Sequence, residues 1–359
     1  MKITLLVNYE RISLYHTMEP FFLKEYRRLF YFTSSAEYCL TKDKNKILFM
    51  ERWFQNDRDP KPPDMNLIKR LREKYQTLVF LDGAPHAGNH LLEIIPFADR
   101  FFHKSLFKDP GLYRRPLYRR RLFSDYSHRK YGITDARPEI ESPLFTSGEN
   151  ASRIELSWNI GLGDYPRRHT RQRIGVALAR AGLPGAGRKI FKSGRCPPPP
   201  DFSSSRRRIK IHARLEPVLS ESTAYQRLVF IKKTVNNPLF VTGTVSQGRY
   251  YRELRDSRIV LSPFGWGEVC FRDFEAILSG ALLFKPDMSH LVTWPDVYRP
   301  GETYVPLDWD GEDLEEKADY YLANDEERRR IAGNAFECYR GQLSSLGERF
   351  AGIFAGIIN

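Results

Sequence analysis

Three groups of residues in this chain have the types and spacing to do chemistry. The first is the run Phe264-Gly-Trp-Gly-Glu-Val-Cys-Phe-Arg-Asp-Phe-Glu275, which follows the apolar segment Arg258–Pro263. It reads as a strand, a glycine-containing loop and a helix. Gly265 and Gly267, either side of Trp266, permit positive φ and a close approach of backbone to a ligand. The start of the helix offers free N–H groups and partial positive charge to a phosphate. Arg272 lies in the first turns and adds a bidentate phosphate contact. Glu275 is one short step along, within reach of vicinal hydroxyls such as those of a ribose. A loop, an arginine and an acid in this order suit a nucleoside diphosphate. A purely structural strand–glycine–helix turn uses the same glycines.

The second group is Asp82-Gly-Ala-Pro-His-Ala-Gly-Asn-His90. Asp82 ends the apolar run Thr77–Leu81, and His86 sits in the loop behind it. Asp82 fits a general base on a hydroxyl; it equally fits an aspartate capping the next turn. His86 and His90 read either as chemical groups or as polar loop residues. Asp125, in Phe-Ser-Asp-Tyr126, is a further acid of the same kind. His86 and His90 are four apart, but Gly88 between them and the lack of an HExxH pattern argue against a helical zinc pair, so no metal is expected.

The third group alternates basic and aromatic residues: Lys104, Phe107, Lys108, Tyr113, Arg114, Arg115, Tyr118, Arg119, Arg120, Arg121, Tyr126 and Arg129. Lys104, Lys108 and Arg119 are the candidate acceptor contacts. The run reads as a solvated face, as a site for an anionic lipid-linked or sugar-acid acceptor or the membrane surface, or as a nucleic-acid contact made through phosphates and stacking. Arg214, after another apolar run, is placed to join the Arg272 site.

These residues need a scaffold that presents them. Strand-like runs alternate with helical patterns, which implies parallel sheets. Lys2–Asn8, Lys46–Met50, Gln76–Asp82 and Arg153–Trp158 read as strands, with helices over Pro20–Phe30, Met65–Tyr75 and Gln172–Ala181. Gly182–Arg208 breaks the pattern with four successive prolines from Pro197, which neither a helix nor a central strand accepts. The alternation then restarts. Strands are expected over Arg208–Arg214, Pro238–Thr242, Ser257–Ser262, Ala281–Lys285 and Thr303–Leu307. Helices are expected over Ala224–Val235, Tyr250–Asp256, Phe271–Leu278, Glu312–Leu322 and Glu326–Tyr339. The expected architecture is α/β: a domain over 1–185, a linker over 186–207 and a second domain over 208–359 closed by helices. Two such domains would face a cleft, with ligands beyond the carboxyl ends of strands.

Composition fits this reading. The chain has 359 residues, 41% hydrophobic and 28% charged, which suits two domains and argues against wholesale disorder. No apolar run approaches the ~20 residues a bilayer span needs. The first residues are too short in apolar length for a signal peptide. Cys39, Cys196, Cys270 and Cys338 are scattered without CxxC spacing, which fits a reducing cytosol. The net charge of +13 calls for an anionic partner. The excess is confined to Arg100–Lys130 and Tyr165–Arg214, and the remainder is net negative.

The Phe264–Gly280 stretch resembles the donor-binding segment of GT-B glycosyltransferases, closest to the exostosin-like and spore-maturation (CgeB-like) groups. They share a glycine-rich loop, then an arginine, then Glu-Ala-hydrophobic-x-x-Gly, here Glu275-Ala-Ile-Leu-Ser-Gly280. Ala281–Lys285 matches the next strand of that family, and Thr303–Leu314 resembles its strand–aspartate–helix piece. Lys104–Asp109 and Ser157–Asp164 are similar to segments of polysaccharide-cluster glycosyltransferases. The resemblance implies two Rossmann-like domains and a nucleotide-sugar donor with no metal or other cofactor. Glu275 would bind ribose, Arg272 the diphosphate, and Gly265, Trp266 and Gly267 would shape the loop, with Arg214 beside them. It implies transfer of the sugar to an anionic glycan or lipid-linked acceptor in surface polysaccharide or lipopolysaccharide synthesis, at the cytoplasmic face of the membrane. Many retaining members carry two glutamates with seven residues between them. Glu268 and Glu275 have six, so Glu268 is not carried over as the sugar-contacting acid. The rival expectation, from charge alone, is a non-enzymatic nucleic-acid-binding protein, although no RRM or zinc-finger pattern is present.

Overall fold

The computed structural model describes residues 2–8, 19–23, 25–26, 28–52, 54, 63–88, 91–136, 152–162, 174, 177–178, 181, 198–202, 207–216 and 221–358. The chain is α/β, and it divides into two compact units. The first holds 1–106, 144–195 and 343–359; the second holds 107–143 and 196–342.

The first unit is built on a parallel sheet of β1 (Ile3–Leu6), β2 (Phe30–Thr33), β3 (Ile47–Glu51), β4 (Thr77–Asp82), β5 (Arg100–His103) and β6 (Ile154–Leu156), in the order β2-β1-β3-β4-β5-β6. β3 and β4 are continuous apolar runs because both their faces are covered. Helices α1 (Ala36–Thr41) and α2 (Met65–Lys74) belong to this unit. Asp64 caps α2 by accepting from the N–H groups of Asn66 and Leu67, and Ile68 and Leu71 supply its buried side.

The expected helix over Pro20–Phe30 is instead a short 3-10 turn over Glu19–Phe22, with Phe30 opening β2. Phe21 draws the chain inward. It meets Phe30, Phe49, Trp158 and Phe350 edge-on, with ring centroids 4.9–6.1 Å apart. Phe350 and Phe354 come from the last helix, Leu346–Ile358, so the chain's end completes the first unit's aromatic core. Each ring so buried contributes about 1.5–3 kcal/mol.

The second unit's sheet holds β7 (Ile209–His212), β8 (Phe240–Val241), β9 (Ser257–Leu261), β10 (Leu282–Pro286) and β11 (Val305–Leu307) in the order β8-β7-β9-β10-β11, all parallel. Its core is Ile211, Phe230, Ile259, Leu261, Leu282, Phe284 and their neighbours. In both sheets the first strand has the second on one side and the third on the other. The expected strands of this unit are present, four with narrower bounds and Ala281–Lys285 shifted by one residue to Leu282–Pro286.

The compact units depart from the expected boundaries in three places. The segment 107–143, expected in the first domain, belongs to the second unit. There the helix Leu122–Tyr131 sets Phe123 against Phe264 at 5.4 Å, while Lys130 and Tyr131 hold Asp310 at 2.7 and 2.8 Å. Residues 343–359 belong to the first unit. The described end of the expected linker packs on the second unit: Arg207 donates to the carbonyls of Ser257 and Ser279 at 2.6 and 2.7 Å. Gly280, at φ +74°, ends the helix beside Arg207, where a Cβ would lie 2.7 Å from the guanidinium and 2.9 Å from Pro200. The rest of that linker, most of the expected helix over 172–181, residues 163–164 and His90 lie outside the described residues.

Candidate functional site

The loop 263–270 leaves β9 and enters the helix Phe271–Ser279. It stands at the carboxyl edge of the sheet, where β7 and β9 part because the chain has run to opposite sides of β7. Open α/β sheets bind ligands at this place. Neither Gly265 nor Gly267 is among the glycines with positive φ, contrary to expectation. Gly265 serves close approach instead: a Cβ there would lie 2.8 Å from a guanidinium nitrogen of Arg227 and would displace that side chain. Trp266 is about half exposed at the loop's tip.

Arg272, in the helix's first turn, donates to the carbonyl of Arg214 and lies over the Tyr250 ring, 6.0 Å from its centroid. Glu275, a turn further on, is buried and accepts from Tyr250 at 2.7 Å and Tyr251 at 3.2 Å. Both tyrosines come from the helix Gln247–Arg255. Arg214 makes a two-pronged contact with Glu253, at 2.8 Å on each oxygen. Arg227 donates to the Phe264 carbonyl at 3.2 Å. Arg227 thus holds the loop itself, Arg272 stands in the helix the loop enters, and Arg214 is tied to the same group through its carbonyl. His212, ending β7, records this field: burial first, then Arg272 and Arg214 against the opposing pull of Glu253, push its imidazole down to about 3, so it is neutral there.

Beneath the loop lies a dry charge network that the residue pattern did not reveal. Lys285 and Asp273 are both fully buried and pair at 3.0 Å. Asp273 also accepts from Ser262 at 2.6 Å, Tyr298 at 2.7 Å and the backbone N–H of Cys270 at 2.9 Å. It ties the end of β9, the helix start and the loop's last residue to one carboxylate. Glu268 is different: it is buried, neither oxygen has a hydrogen-bond partner, and its nearest counterpart is His290 Nε2 at 3.8 Å.

In the first unit, Asp82 ends β4 fully buried. It pairs with Arg52 at 2.7 Å and accepts from the N–H groups of Ala84 at 3.2 Å and Leu91 at 3.3 Å. These are the contacts of a residue that holds its turn. His86 is buried in that turn. Lys104 follows β5 and shares a recess with Asp82, Glu51 and Ser157. Burial pushes its amine down to about 8, although Glu51 and Asp82 pull the other way. Lys108 and Arg119 do not share this recess, because they belong to the second unit. Lys108 is exposed, and Arg119 pairs with Asp135 at 3.3 Å at a φ of 54°. Asp125 is engaged by Arg129 at 2.9 Å and the Tyr118 N–H at 2.9 Å. With Lys130 bound to Asp310, three basic residues of the run, Arg119, Arg129 and Lys130, are paired with acids. Among the described residues no group of three metal-ligating side chains occurs, and no helix is long and apolar enough to cross a membrane.

Residues 205–345 match a family model described as glycosyl transferase-like, a stretch that includes the loop, Arg214, Arg227, Arg272 and Glu275. No curated protein matches the chain. Solved structures similar to it include an alpha-glucosyltransferase in complex with UDP-glucose and DNA containing an abasic site (11% identity, 99% of this chain and 98% of that one, TM-score 0.48). Two others are Anabaena Alr3699/HepE in complex with UDP-glucose (10%, 99% and 100%, TM-score 0.46) and TarM (10%, 89% and 57%, TM-score 0.45). At these values the likeness carries no statement about the reaction of this chain.

Proposed function

We propose that this chain is a nucleotide-sugar-dependent glycosyltransferase of GT-B type. It moves a sugar from the donor to a glycan or lipid-linked acceptor in surface polysaccharide or lipopolysaccharide synthesis, at the cytoplasmic face of the membrane. The observation that carries the reading is the loop 263–270, with Arg227 on its Phe264 carbonyl, Arg272 in the helix it enters and Glu275 fixed by two tyrosines, inside the segment that matches a glycosyl transferase-like model.

The chemistry follows from these groups. Breaking the sugar–phosphate bond leaves negative charge on the diphosphate while the sugar gains oxocarbenium character. Donors already in place at the leaving group lower that barrier without reorganising. Arg272 and the helix start hold the diphosphate, and the arginines supply the positive charge that a divalent ion would otherwise bring. Glu275, already oriented by Tyr250 and Tyr251, receives the ribose hydroxyls. Gly265 and Gly267 let the loop close on the phosphates, and Trp266 flanks them. In the first unit the acceptor hydroxyl gives up its proton; Asp82 is the proposed base with His86 behind it, and Lys104 is the acceptor contact. Lys108 and Arg119 remain proposed contacts to a charged part of the acceptor.

Calorimetric titration with UDP, GDP, CMP, TDP and their sugars tests the reading. One of them binds the wild type. Arg272→Ala weakens it about tenfold to a hundredfold, the worth of a charged hydrogen bond, and Glu275→Ala weakens the nucleoside diphosphate but not inorganic pyrophosphate. Unchanged affinities in both variants would refute the donor assignment.

A further inference from the structure

We infer that the recess at the carboxyl edge of the first sheet binds the hydroxyl-bearing end of an uncharged sugar. Its role as the acceptor's seat rests on the glycosyltransferase reading; the binding itself does not.

Location comes first. β1 is followed by β2 on one side and by β3 on the other, so the crevice between β1 and β3 is the switch point of this sheet. The recess opens there, lined by Phe21, Glu51, Asp82, Lys104, Ser157 and Trp158 among others. Its counterpart in the second sheet is the place where the 263–270 loop stands. The same topological argument therefore marks two sites in the chain, and only one of them is the nucleotide site.

The chemistry of the recess selects its ligand. Glu51 and Asp82 are opposed by Lys104 and by Arg52, which pairs with Asp82. The cluster is formally neutral. A phosphate or carboxylate entering it would meet two buried acids, and a simple cation would meet an ammonium and a guanidinium. A hydroxyl satisfies both kinds of wall, because it donates to a carboxylate and accepts from an ammonium. Ser157 adds a group that does either, and the rings of Phe21 and Trp158 give an apolar flank of the kind that packs against C–H faces. The partial desolvation that depresses the Lys104 amine agrees with a wall built to meet a ligand rather than bulk water.

Size narrows it further. The recess encloses about 380 Å3 counting space open to solvent, but its enclosed part has room for about one water-sized group. It takes the tip of a ligand, a hydroxyl or hydroxymethyl group, with the rest of the sugar at the mouth. Gly83 keeps that space: a Cβ there would sit 3.1 Å from Glu51 Oε1 and 3.5 Å from Lys104 Cε. Its φ is ordinary, so a side chain there would crowd Glu51 and Lys104 and take up the recess without straining the backbone.

Saturation-transfer NMR on the full chain with methyl glucosides, galactosides and mannosides, against methyl glucuronide and inorganic pyrophosphate, tests this. At least one neutral glycoside binds, and glucuronide of the same ring configuration binds about tenfold more weakly. Gly83→Val, which fills the recess without changing charge, and Glu51→Gln, which keeps its shape, each lower glycoside affinity about tenfold or more. Both leave the calorimetric nucleotide affinity unchanged. Absence of binding by every neutral glycoside, glucuronide binding as tightly as its neutral counterpart, or Gly83→Val and Glu51→Gln binding like wild type would each overturn the inference; the first two need no variant to fold. Glycoside binding without nucleotide binding would sustain the recess and remove the glycosyltransferase reading. Nucleotide binding without glycoside binding would do the reverse.

Discussion

The two units share a strand order and differ in what they place at its carboxyl edge. In the second, the edge carries a glycine loop, a helix start and Arg227 and Arg272, with Arg214 nearby; burial first, and Arg272 and Arg214 with it, keep the His212 imidazole neutral. In the first, the edge carries Glu51 and Asp82 against Arg52 and Lys104 in a narrow recess. Topology decides where each unit can bind something, and the charge of the residues that end the strands decides what. The same architecture thus offers one place for an anion and one for a neutral, hydroxyl-rich group.

The largest difference to break is in how the charges are held. The Asp273–Lys285 pair is fully dry, whereas Lys104 is half-buried at a recess open to solvent. Asp273→Ala strands a buried ammonium and is expected to cost about 3–5 kcal/mol in urea unfolding of the second unit. Lys104→Met leaves Asp82 with Arg52 and is expected to cost distinctly less. Equal losses would mean that both edges are structural ion pairs and that the contrast between them is empty.

A smaller effect separates function from stability at Glu268. A buried carboxylate without a partner costs roughly 1–3 kcal/mol, so Glu268→Met is expected to raise the melting temperature. If the glutamate is kept for ligand binding, the same variant loses nucleotide-sugar affinity while gaining stability. A fall in melting temperature would show that His290 at 3.8 Å already compensates it.

The last effects are in pH dependence, and they share a sign: each group favours the fold as pH rises, in a different window. The unfolded His212 takes up a proton near 6.5 and the folded one only near 3, so its contribution to stability is lost as pH falls below about 6.5. The unfolded Lys104 keeps its proton to about 10.5 and the folded one to about 8, so its contribution improves as pH rises through that window. Thermal melts across both windows should show the acid limb flattened by His212→Asn alone and the alkaline limb flattened by Lys104→Met alone.

Much of this was legible in the residues. β4 and β9 are largely apolar runs bounded by clear punctuation, the helix Phe271–Ser279 is framed by a glycine loop and Gly280, and Arg272 and Glu275 lie on one local motif. What escaped depends on partners distant in sequence. β2 and the last helix were hidden because Phe30, Phe350 and Phe354 declare themselves only in the aromatic core they share with Phe21. The run 104–130 reads as one basic stretch, yet Lys104 goes with the first unit, and Phe123, Tyr126 and Lys130 dock on the second through Phe264 and Asp310. Arg227 and Lys285 reach the loop, and Tyr250 and Tyr251 reach Glu275, from other elements, so no local spacing points to them. The one visible signal was Lys285, a lysine ending an otherwise apolar strand, which has to be paired if it is buried.

Amide hydrogen exchange tests the division of labour most directly. With the nucleoside diphosphate that binds in calorimetry, protection should rise in peptides covering 262–276 and 247–255 and stay unchanged over 47–54, 78–86 and 100–106. The neutral glycoside should produce the converse pattern. Nucleotide protection centred on the first unit's recess, with none around the Gly265 loop, would contradict the account.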